Sequence, residues 1–376
     1  MIKKIEGLKL EKGHHLYLND EHIKPLKDEL ETFISEESQM NTLDFSKKVM
    51  HSQEIKNNNN IEGYLDDVSL IEEVIRNSNS ISDKDKKNRI INLYKGYKYI
   101  LQKPEINKEN LNKLYKILSH NLLCSYDLKN MGKFYRNGEV FIYFSDNSAV
   151  PPDTGVSYEI LDDMMDKYFK FLNSEENIET ITDYYIKSQI AHFYFVYVHP
   201  YFDINGRSAR TSSMWYLLNN EAYPYIIFNR AIGNSKNIYY KEIRKAKISH
   251  NLTSFIEYLM VNVKKELEKE YIIQAIKSSS NEKLSSIEFS SILDILSMNG
   301  LKTLKDFAYF HNMKNDKKRV NDIYNEMIEP LLEKEIILKT RDTKGMYNGS
   351  CNNFVFDLNL SKLDLDKSKV RRLMIK

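Results

Sequence analysis

The sequence predicts an all-α protein, a helical bundle that carries one small β-hairpin, followed by a smaller C-terminal module. Three observations support this. A chain of 376 residues is too long for one ordinary hydrophobic core and fits two or three domains. Only 12 glycines and 7 prolines occur, whereas Lys, Ile, Asn and Tyr are abundant, and such a composition favours long helices. Apolar residues recur at helical spacing along most of the chain.

Composition excludes several classes of protein. The formal net charge is +2, so no global positive field draws the whole chain onto nucleic acid or membrane. The two cysteines, Cys124 and Cys351, cannot form a disulfide framework, and we expect both to be buried as small hydrophobic residues. No apolar run reaches membrane-spanning length. These features predict a soluble cytoplasmic protein without a membrane partner.

The N-terminal part of the chain shows both strand-like and helical patterns. Residues 1–40 combine a strand-like stretch at 15–18 with a charged helical stretch, and their role is not predicted. From 42 to 63, Phe45, Val49 and Met50 follow helical spacing, and Gly63 is typical of a helix stop.

The central region reads as a helical bundle with one interruption. Residues 132–144 are β-branched and aromatic and contain an Asn137-Gly138 turn signal, so they predict a hairpin that residues 150–152 close. Helices are predicted on either side of it, at 71–75, 90–101, 111–123, 158–173, 184–198, 205–219, 236–247 and 252–277.

A polar stretch at 278–281 is the best linker candidate. Together with the N-terminal segment of unpredicted role, it gives three predicted segments: 1–40, 41–277 and 282–376. Beyond the linker, helices at 287–298, 304–310 and 320–332 precede strands at 336–338 and 354–356. This order suggests a winged helix-turn-helix-like module. The basic run Lys317-Lys318-Arg319 ahead of the third helix could touch DNA phosphates, although such runs are usually solvated. The module could instead bind the protein target or a second copy of the chain.

Residues 199–210, His-Pro-Tyr-Phe-Asp-Ile-Asn-Gly-Arg-Ser-Ala-Arg, combine the groups that phosphate transfer requires. A helix beginning near Asn205 presents unpaired N–H groups to an anion, and Gly206 lets the backbone come close. Arg207 and Arg210 are three apart and can both reach phosphate oxygens. Two further side chains complete the set: Asp203 offers a hard oxygen ligand for Mg²⁺, and His199 can accept a proton.

This segment resembles the signature of the Fic family, with two departures, Tyr201 for Phe and Ile204 for Gly. The resemblance covers about residues 42–265. It implies transfer of AMP from Mg-ATP to a hydroxyl of a protein target, with pyrophosphate leaving. The same resemblance assigns the roles: His199 is the general base and Asp203 the Mg²⁺ ligand, while the α- and β-phosphates contact Asn205 and Arg207 and the γ-phosphate contacts Arg210.

Two further parts of the chain are similar to Fic elements. Val140, Phe141 and Ile142 resemble the flap whose edge holds the target segment as an added strand. Tyr239 and Tyr240 resemble the tyrosine pair beside the adenine, and Lys247 stands where some members have Asn.

The stretch from Asn58 to Gly63 is similar to the Fic inhibitory motif, with Asn58 in place of Ser or Thr. The resemblance implies that Glu62 pairs with Arg210 and displaces the γ-phosphate from its productive position, because one guanidinium cannot serve both partners at full strength.

Each group also has a purely structural alternative, and a lone histidine at a helix end, such as His199, is usually structural. The arginines could cap or pair within a helix, Asp203 could be an N-cap, Glu62 could be a solvated carboxylate, and the tyrosine pair could belong to the core. At the level of function, the alternatives are a DNA-binding regulator that uses the Fic core as a nucleotide sensor, and a transferase with another nucleotide or a choline-type diphosphate as donor. A homodimer is also possible.

Overall fold

The computed structural model describes residues 2–38, 47–142, 153–222, 227–233, 235–280, 284–298, 303–304, 306–307, 322, 324–341, 354–359 and 361. The predicted all-α class is confirmed, since helices make up most of these residues and the strands form three short antiparallel pairs. None of the described helices has the length and apolar character needed to cross a bilayer.

The chain begins with a hairpin of β1 (Ile2–Lys9) and β2 (His15–Asn19), followed by α1 (Asp20–Ser38). The sequence predicted a strand only at 15–18. In β1 the buried apolar residues are Ile5 and Leu8, three apart, which is a helical rather than an alternating spacing. Pairing with β2 therefore determines the conformation of this segment.

Within the described ranges, eleven further helices follow α1 as far as Ser280. They are α2 (Lys47–Ile61), α3 (Val68–Arg76), α4 (Lys84–Ile100), α5 (Lys108–Leu118), α6 (Ser125–Asn130), α7 (Leu161–Asn173), α8 (Ile181–Val198), α9 (Asn205–Asn219), α10 (Ile227–Gly233), α11 (Lys236–Ser249) and α12 (Thr253–Ser280).

Two central helices, α8 and α9, pack against each other and position the predicted site. Helix α8 begins with a capping box formed by Thr180 and Asp183, and most of its side chains are buried. It ends at His199, whose left-handed conformation (φ 52°, ψ 61°) is consistent with Pro200, since proline disfavours the helical region for the preceding residue. Helix α9 then starts at Asn205, as predicted.

The predicted hairpin needs a correction. Strand β3 (Phe141–Ile142) pairs with β4 (Asp153–Thr154), so the Asn137-Gly138 pair is not the turn of this hairpin. The carbonyl of Gly138 instead accepts a hydrogen bond from Arg136 Nη1 at 2.6 Å, and the strand that pairs with β3 comes from a later part of the chain. The predicted closing residues 150–152, and residues 143–144, lie outside the described part of the chain.

Residue Cys124 corrects a second expectation. It is exposed, and as the N-cap residue of α6 its sulfur accepts a hydrogen bond from the backbone nitrogen of Asp127 at 3.5 Å. Cys351 lies outside the described residues.

The chain divides into two compact units. The first consists mainly of residues up to Lys264, and the second of residues from Lys265 onward. The predicted linker is wrong for Ser278–Ser280, which end α12, and Asn281 lies outside the described residues. The three predicted segment boundaries stay a prediction.

The second unit contains α13 (Ser286–Ser297), α14 (Glu329–Glu333), and a ribbon of β5 (Ile337–Arg341) and β6 (Phe354–Leu358). The ribbon agrees with the two predicted strands. The winged-helix interpretation stays a prediction, because most of 304–323 and the basic run 317–319 lie outside the described residues.

Candidate active site

The loop between α8 and α9 has a defined internal structure. The amide of Asn205 closes it, accepting from Tyr201 N at 2.9 Å and donating to Tyr201 O at 2.8 Å. Ile204 lies in the left-handed region with φ 66° and is buried. Both groups of the Asn205 side chain are therefore engaged with the loop backbone, and its contact with phosphate stays a prediction.

The imidazole of His199 is set up to accept a proton. Its Nδ1 lies 3.3 Å from the carbonyl oxygen of Val196, which can only accept a hydrogen bond, so Nδ1 carries the hydrogen and Nε2 carries the lone pair. Burial, together with the positive charges of Arg136 and Lys247, lowers the pKa of His199 to about 4, although the hydrogen bond to Val196 acts in the opposite direction. The ring is neutral at pH 7, which suits a general base.

The carboxylate of Asp203 is exposed, and its Oδ1 accepts a hydrogen bond from Ile204 N at 2.5 Å. The N-cap residue of α9 is Ile204, so Asp203 is not a plain N-cap. Within the described ranges no group of three His, Cys, Asp or Glu side chains could hold a metal. A lone exposed carboxylate fits Mg²⁺ held mainly by phosphates and water, and does not fit a protein-enclosed metal.

Both predicted arginines lie in the first turns of α9 and are buried. Arg207 is 6% exposed, and within the described residues its Nε has no hydrogen-bond partner. Buried donors without a partner are uncommon in folded proteins. Arg207 thus has donor capacity for an anion at the helix N-terminus.

Arg210 contacts both predicted inhibitory residues. Its Nε and Nη2 donate to Asn58 Oδ1 at 3.0 Å and 2.8 Å, and its Nη2 also donates to Glu62 Oε1 in an ion pair. Asn58 in turn donates to the hydroxyl of Tyr97 at 2.9 Å. The structure therefore brings Asn58, Glu62 and Arg210 together, with the amide oxygen of Asn58 as the hydrogen-bond acceptor.

The ion pair controls the charge of Glu62. Burial alone raises the pKa of this carboxyl, but Arg210 and then Arg207 more than offset that effect, and the pKa is lowered. A Cβ at Gly206 would lie 2.6 Å from Glu62 Oε1 and 3.0 Å from Arg210 Nη1. Any larger side chain at position 206 would therefore push the ends of the Glu62 and Arg210 side chains aside.

A second contact of α2 was not predicted. Glu54 is 1% exposed, and its Oε2 accepts from Asn229 Nδ2 at 2.7 Å. Burial raises the pKa of Glu54 to about 8, although Asn229 and Arg230 act in the opposite direction. The signal available in the sequence was the four-residue spacing of Glu54, Asn58 and Glu62, which places them along one side of the helix and the turn that follows it.

The two tyrosines of the predicted pair have different surroundings and different hydrogen-bond partners. Tyr239 is 1% exposed, and its hydroxyl lies 2.6 Å from His192 Nε2 inside the bundle. The hydroxyl of Tyr240 donates to Ile61 O at 3.3 Å, at the end of α2. Their contacts with a nucleotide stay predictions.

Side chains along the flap residues 140–142 alternate between buried and exposed, as expected for a β-strand. Val140 and Ile142 are buried, whereas Phe141 is 60% exposed. The Nζ of Lys247, which stands where some Fic members have Asn, lies 2.7 Å from Asp153 Oδ2 and donates to Thr154 O at 3.0 Å. Lys247 therefore contacts strand β4, a role that the sequence did not predict.

Comparisons with known proteins show what part of this chain is similar to. Residues 105–217 match the family model described as Fic/DOC family, so the chain carries a Fic/DOC family domain. Proteins named "Protein adenylyltransferase Fic" from Drosophila yakuba and Drosophila ananassae are each 26% identical over 230 residues, which are 59% of this chain and 42% of theirs. The match thus spans less than half the length of these relatives.

The fold is shared with a solved structure. A Fic family protein from Desulfovibrio desulfuricans G20 superposes with a TM-score of 0.58 over 90% of this chain and 95% of its own, at 16% identity. This likeness extends the agreement in fold beyond the residues that the family model matches.

Proposed function

We propose that this protein transfers AMP from Mg-ATP to a Tyr, Ser or Thr hydroxyl of a target protein. The observation that carries the proposal is the neutral imidazole of His199, with its Nε2 lone pair available, one loop away from a helix N-terminus that holds two buried arginines. The names of the Drosophila relatives support the same reaction.

The proposed chemistry is a single displacement. The acceptor oxygen attacks the α-phosphorus while His199 Nε2 takes its proton, the bond from the α-phosphorus to the bridging oxygen breaks, and pyrophosphate leaves. Asn205 and Arg207 orient the α- and β-phosphates, and Arg210 orients the γ-phosphate. Asp203 would hold Mg²⁺, which neutralises phosphate charge when bound. Positioning and charge neutralisation supply most of the acceleration in such reactions.

In the proposed regulation, Glu62 inhibits transfer by occupying Arg210. The ion pair and the two hydrogen bonds to Asn58 use donors that the γ-phosphate requires. ATP then binds without its productive triphosphate geometry until Glu62 moves away. Glu62 could also orient a water for removal of AMP.

Several finer parts belong to the same proposal. The acceptor segment adds to the edge of the flap at Val140–Ile142, and Tyr239 and Tyr240 lie on the adenine side. A DNA-binding regulator would need phosphate ligands but no base, so the neutral His199 favours the enzyme over that alternative.

The test uses ATP labelled at either the α- or the γ-phosphorus, incubated with a cell extract and the wild type, Glu62→Gly or His199→Ala. Protein-bound label is counted as the excess over the same extract without the added protein, because kinases of the extract transfer the γ-phosphate in every sample. We expect protein-bound label only from the α-position, more with Glu62→Gly and none with His199→Ala. Exposed Glu159, changed to Gln, is the matched control and should behave as the wild type. Protein-bound label from the γ-position, or none with Glu62→Gly, contradicts the proposal.

A further inference from the structure

Arg136 joins three separate backbone segments at the edge of the site. It is 2% exposed, and its Nε donates to His199 O at 2.9 Å, Nη1 to Gly138 O at 2.6 Å and Nη2 to Val156 O at 2.5 Å. Its own backbone N–H donates to Pro200 O at 3.0 Å. Every side-chain nitrogen of this guanidinium thus contacts a backbone carbonyl.

These three carbonyls have distinct places in the fold. Gly138 precedes strand β3, Val156 follows strand β4, and His199 ends helix α8. One planar group therefore fixes both ends of the flap hairpin to the residue that carries the imidazole.

Close packing at Gly155 reinforces the connection. A Cβ on Gly155 would lie 2.7 Å from Val140 Cγ1, 2.9 Å from Arg136 Nη2 and 3.3 Å from His199 Cβ. The base of the flap therefore lies directly against His199, at a distance that only glycine permits.

We propose that Arg136 is a positioning residue, which sets the imidazole of His199 in register with the flap so that an acceptor hydroxyl bound there meets Nε2. This inference rests on the proposed function. The guanidinium is suited to the task because its donors point in fixed, coplanar directions, whereas a lysine ammonium is a single point that cannot span three carbonyls. Arg136 acts through His199 and does not touch the reacting atoms.

The expected effect follows from geometry. A shift of about 1 Å at a reacting group costs on the order of 100-fold in rate. Arg136→Lys keeps the positive charge and loses the fork, so we expect the maximal rate of AMP transfer to fall about 10- to 100-fold. The KM for ATP should stay within about twofold, because the phosphate ligands lie on α9.

The experiment measures protein labelling from α-labelled ATP in a fixed cell extract, with every variant in the Glu62→Gly background. The variants are Arg136→Lys and Gly155→Ala, and exposed Arg76→Lys is the matched control for the Arg-to-Lys change. Thermal unfolding is followed for each. In parallel, the ring nitrogens of His199 are observed by NMR in wild type and Arg136→Lys.

The outcomes separate the possibilities. A lower maximal rate at unchanged KM, with altered ring-nitrogen shifts of His199, supports the proposal. Full activity of Arg136→Lys, or a loss of rate that matches the loss of folded protein and of ATP binding, overturns it. If Glu62→Gly with Arg136 intact transfers no AMP, the proposed function fails, and the NMR result decides the positioning role alone: unchanged His199 shifts in Arg136→Lys overturn it.

Discussion

The side-chain oxygen of Asn58 accepts two hydrogen bonds from Arg210, at 3.0 Å from Nε and 2.8 Å from Nη2. Asn58 is fully buried, and its amide nitrogen donates a hydrogen bond to the hydroxyl of Tyr97. One side chain therefore holds the guanidinium in the orientation that also receives Glu62.

Asn58→Ala should weaken this arrangement. It removes one of the two partners of a buried guanidinium, and we expect the free energy of unfolding to fall by about 1–3 kcal/mol in urea titrations. AMP transfer should rise to a level between those of the wild type and Glu62→Gly, because the remaining ion pair is less well fixed. Asn88→Ala is the control, since its amide makes one exposed hydrogen bond of 3.4 Å. Transfer no higher than in the wild type would contradict the role of Asn58.

Tyr201→Phe should stabilise the protein. The ring of Tyr201 stacks on Tyr115 with centroids 3.6 Å apart, but its fully buried hydroxyl has no hydrogen-bond partner among the described residues. We expect the free energy of unfolding to rise by about 1 kcal/mol, because a buried unpaired polar group is costly. Tyr194→Phe is the opposite case, since its hydroxyl donates to Lys9 O at 2.8 Å, and it should be destabilising. Equal signs for the two variants would refute this explanation.

Position 204 should favour glycine over alanine. Both Ile204→Gly and Ile204→Ala lose a buried side chain, but only glycine relieves the left-handed strain, which costs about 1–2 kcal/mol for other residues. Greater freedom of the unfolded chain offsets part of this gain. We expect Ile204→Gly to unfold at a higher urea concentration than Ile204→Ala. At position 209, in the interior of α9, the order should be reversed, and Ala209→Gly should lower the free energy of unfolding. If glycine and alanine rank in the same order at both positions, the strain at position 204 is contradicted.

The stability of the fold should depend on pH through Glu54. Its pKa is raised to about 8 in the folded state, so the folded chain holds a proton that the unfolded chain releases from about pH 4.5. Stability is therefore fully present at low pH and is lost as pH rises toward 8, by at most about 1.4 kcal/mol per pH unit. The groups that face Glu54 are Asn229, Arg230 and Tyr97.

Glu54→Gln should remove this dependence, since it resembles the protonated carboxyl and keeps an oxygen for Asn229. Urea titrations at pH 5, 7 and 9 measure the difference, with exposed Glu159→Gln as the control. Parallel pH curves for the wild type and Glu54→Gln would show that Glu54 is ionised in the fold.

The site segment was predictable because its signals are local. The start and end of α9 at Asn205 and Asn219 were predicted, and Gly63 follows α2 with φ 88°, as expected for a helix stop. The meeting of Glu62 and Arg210 came from the family resemblance, since no local pattern joins residues 148 positions apart.

The features that sequence reasoning missed depend on long-range contacts. Glu54 meets Asn229 across 175 residues, and the apolar spacing of β1 was helical. Strand β3 pairs with β4, so the apparent turn at Asn137-Gly138 does not connect the two strands. In each case tertiary contacts decide between conformations that the local sequence leaves open.

The anchoring of α2 has a consequence for how inhibition would be released. Glu62 lies just beyond a helix that is also held at Asn58 and Glu54, so opening would disturb contacts with α4, α9 and α10 together. The free energy needed to release Glu62 would then depend on contacts with several helices at once. Under the proposed regulation, a substitution of Asn229 on α10, which does not contact Arg210 directly, would then change how readily Glu62 is released.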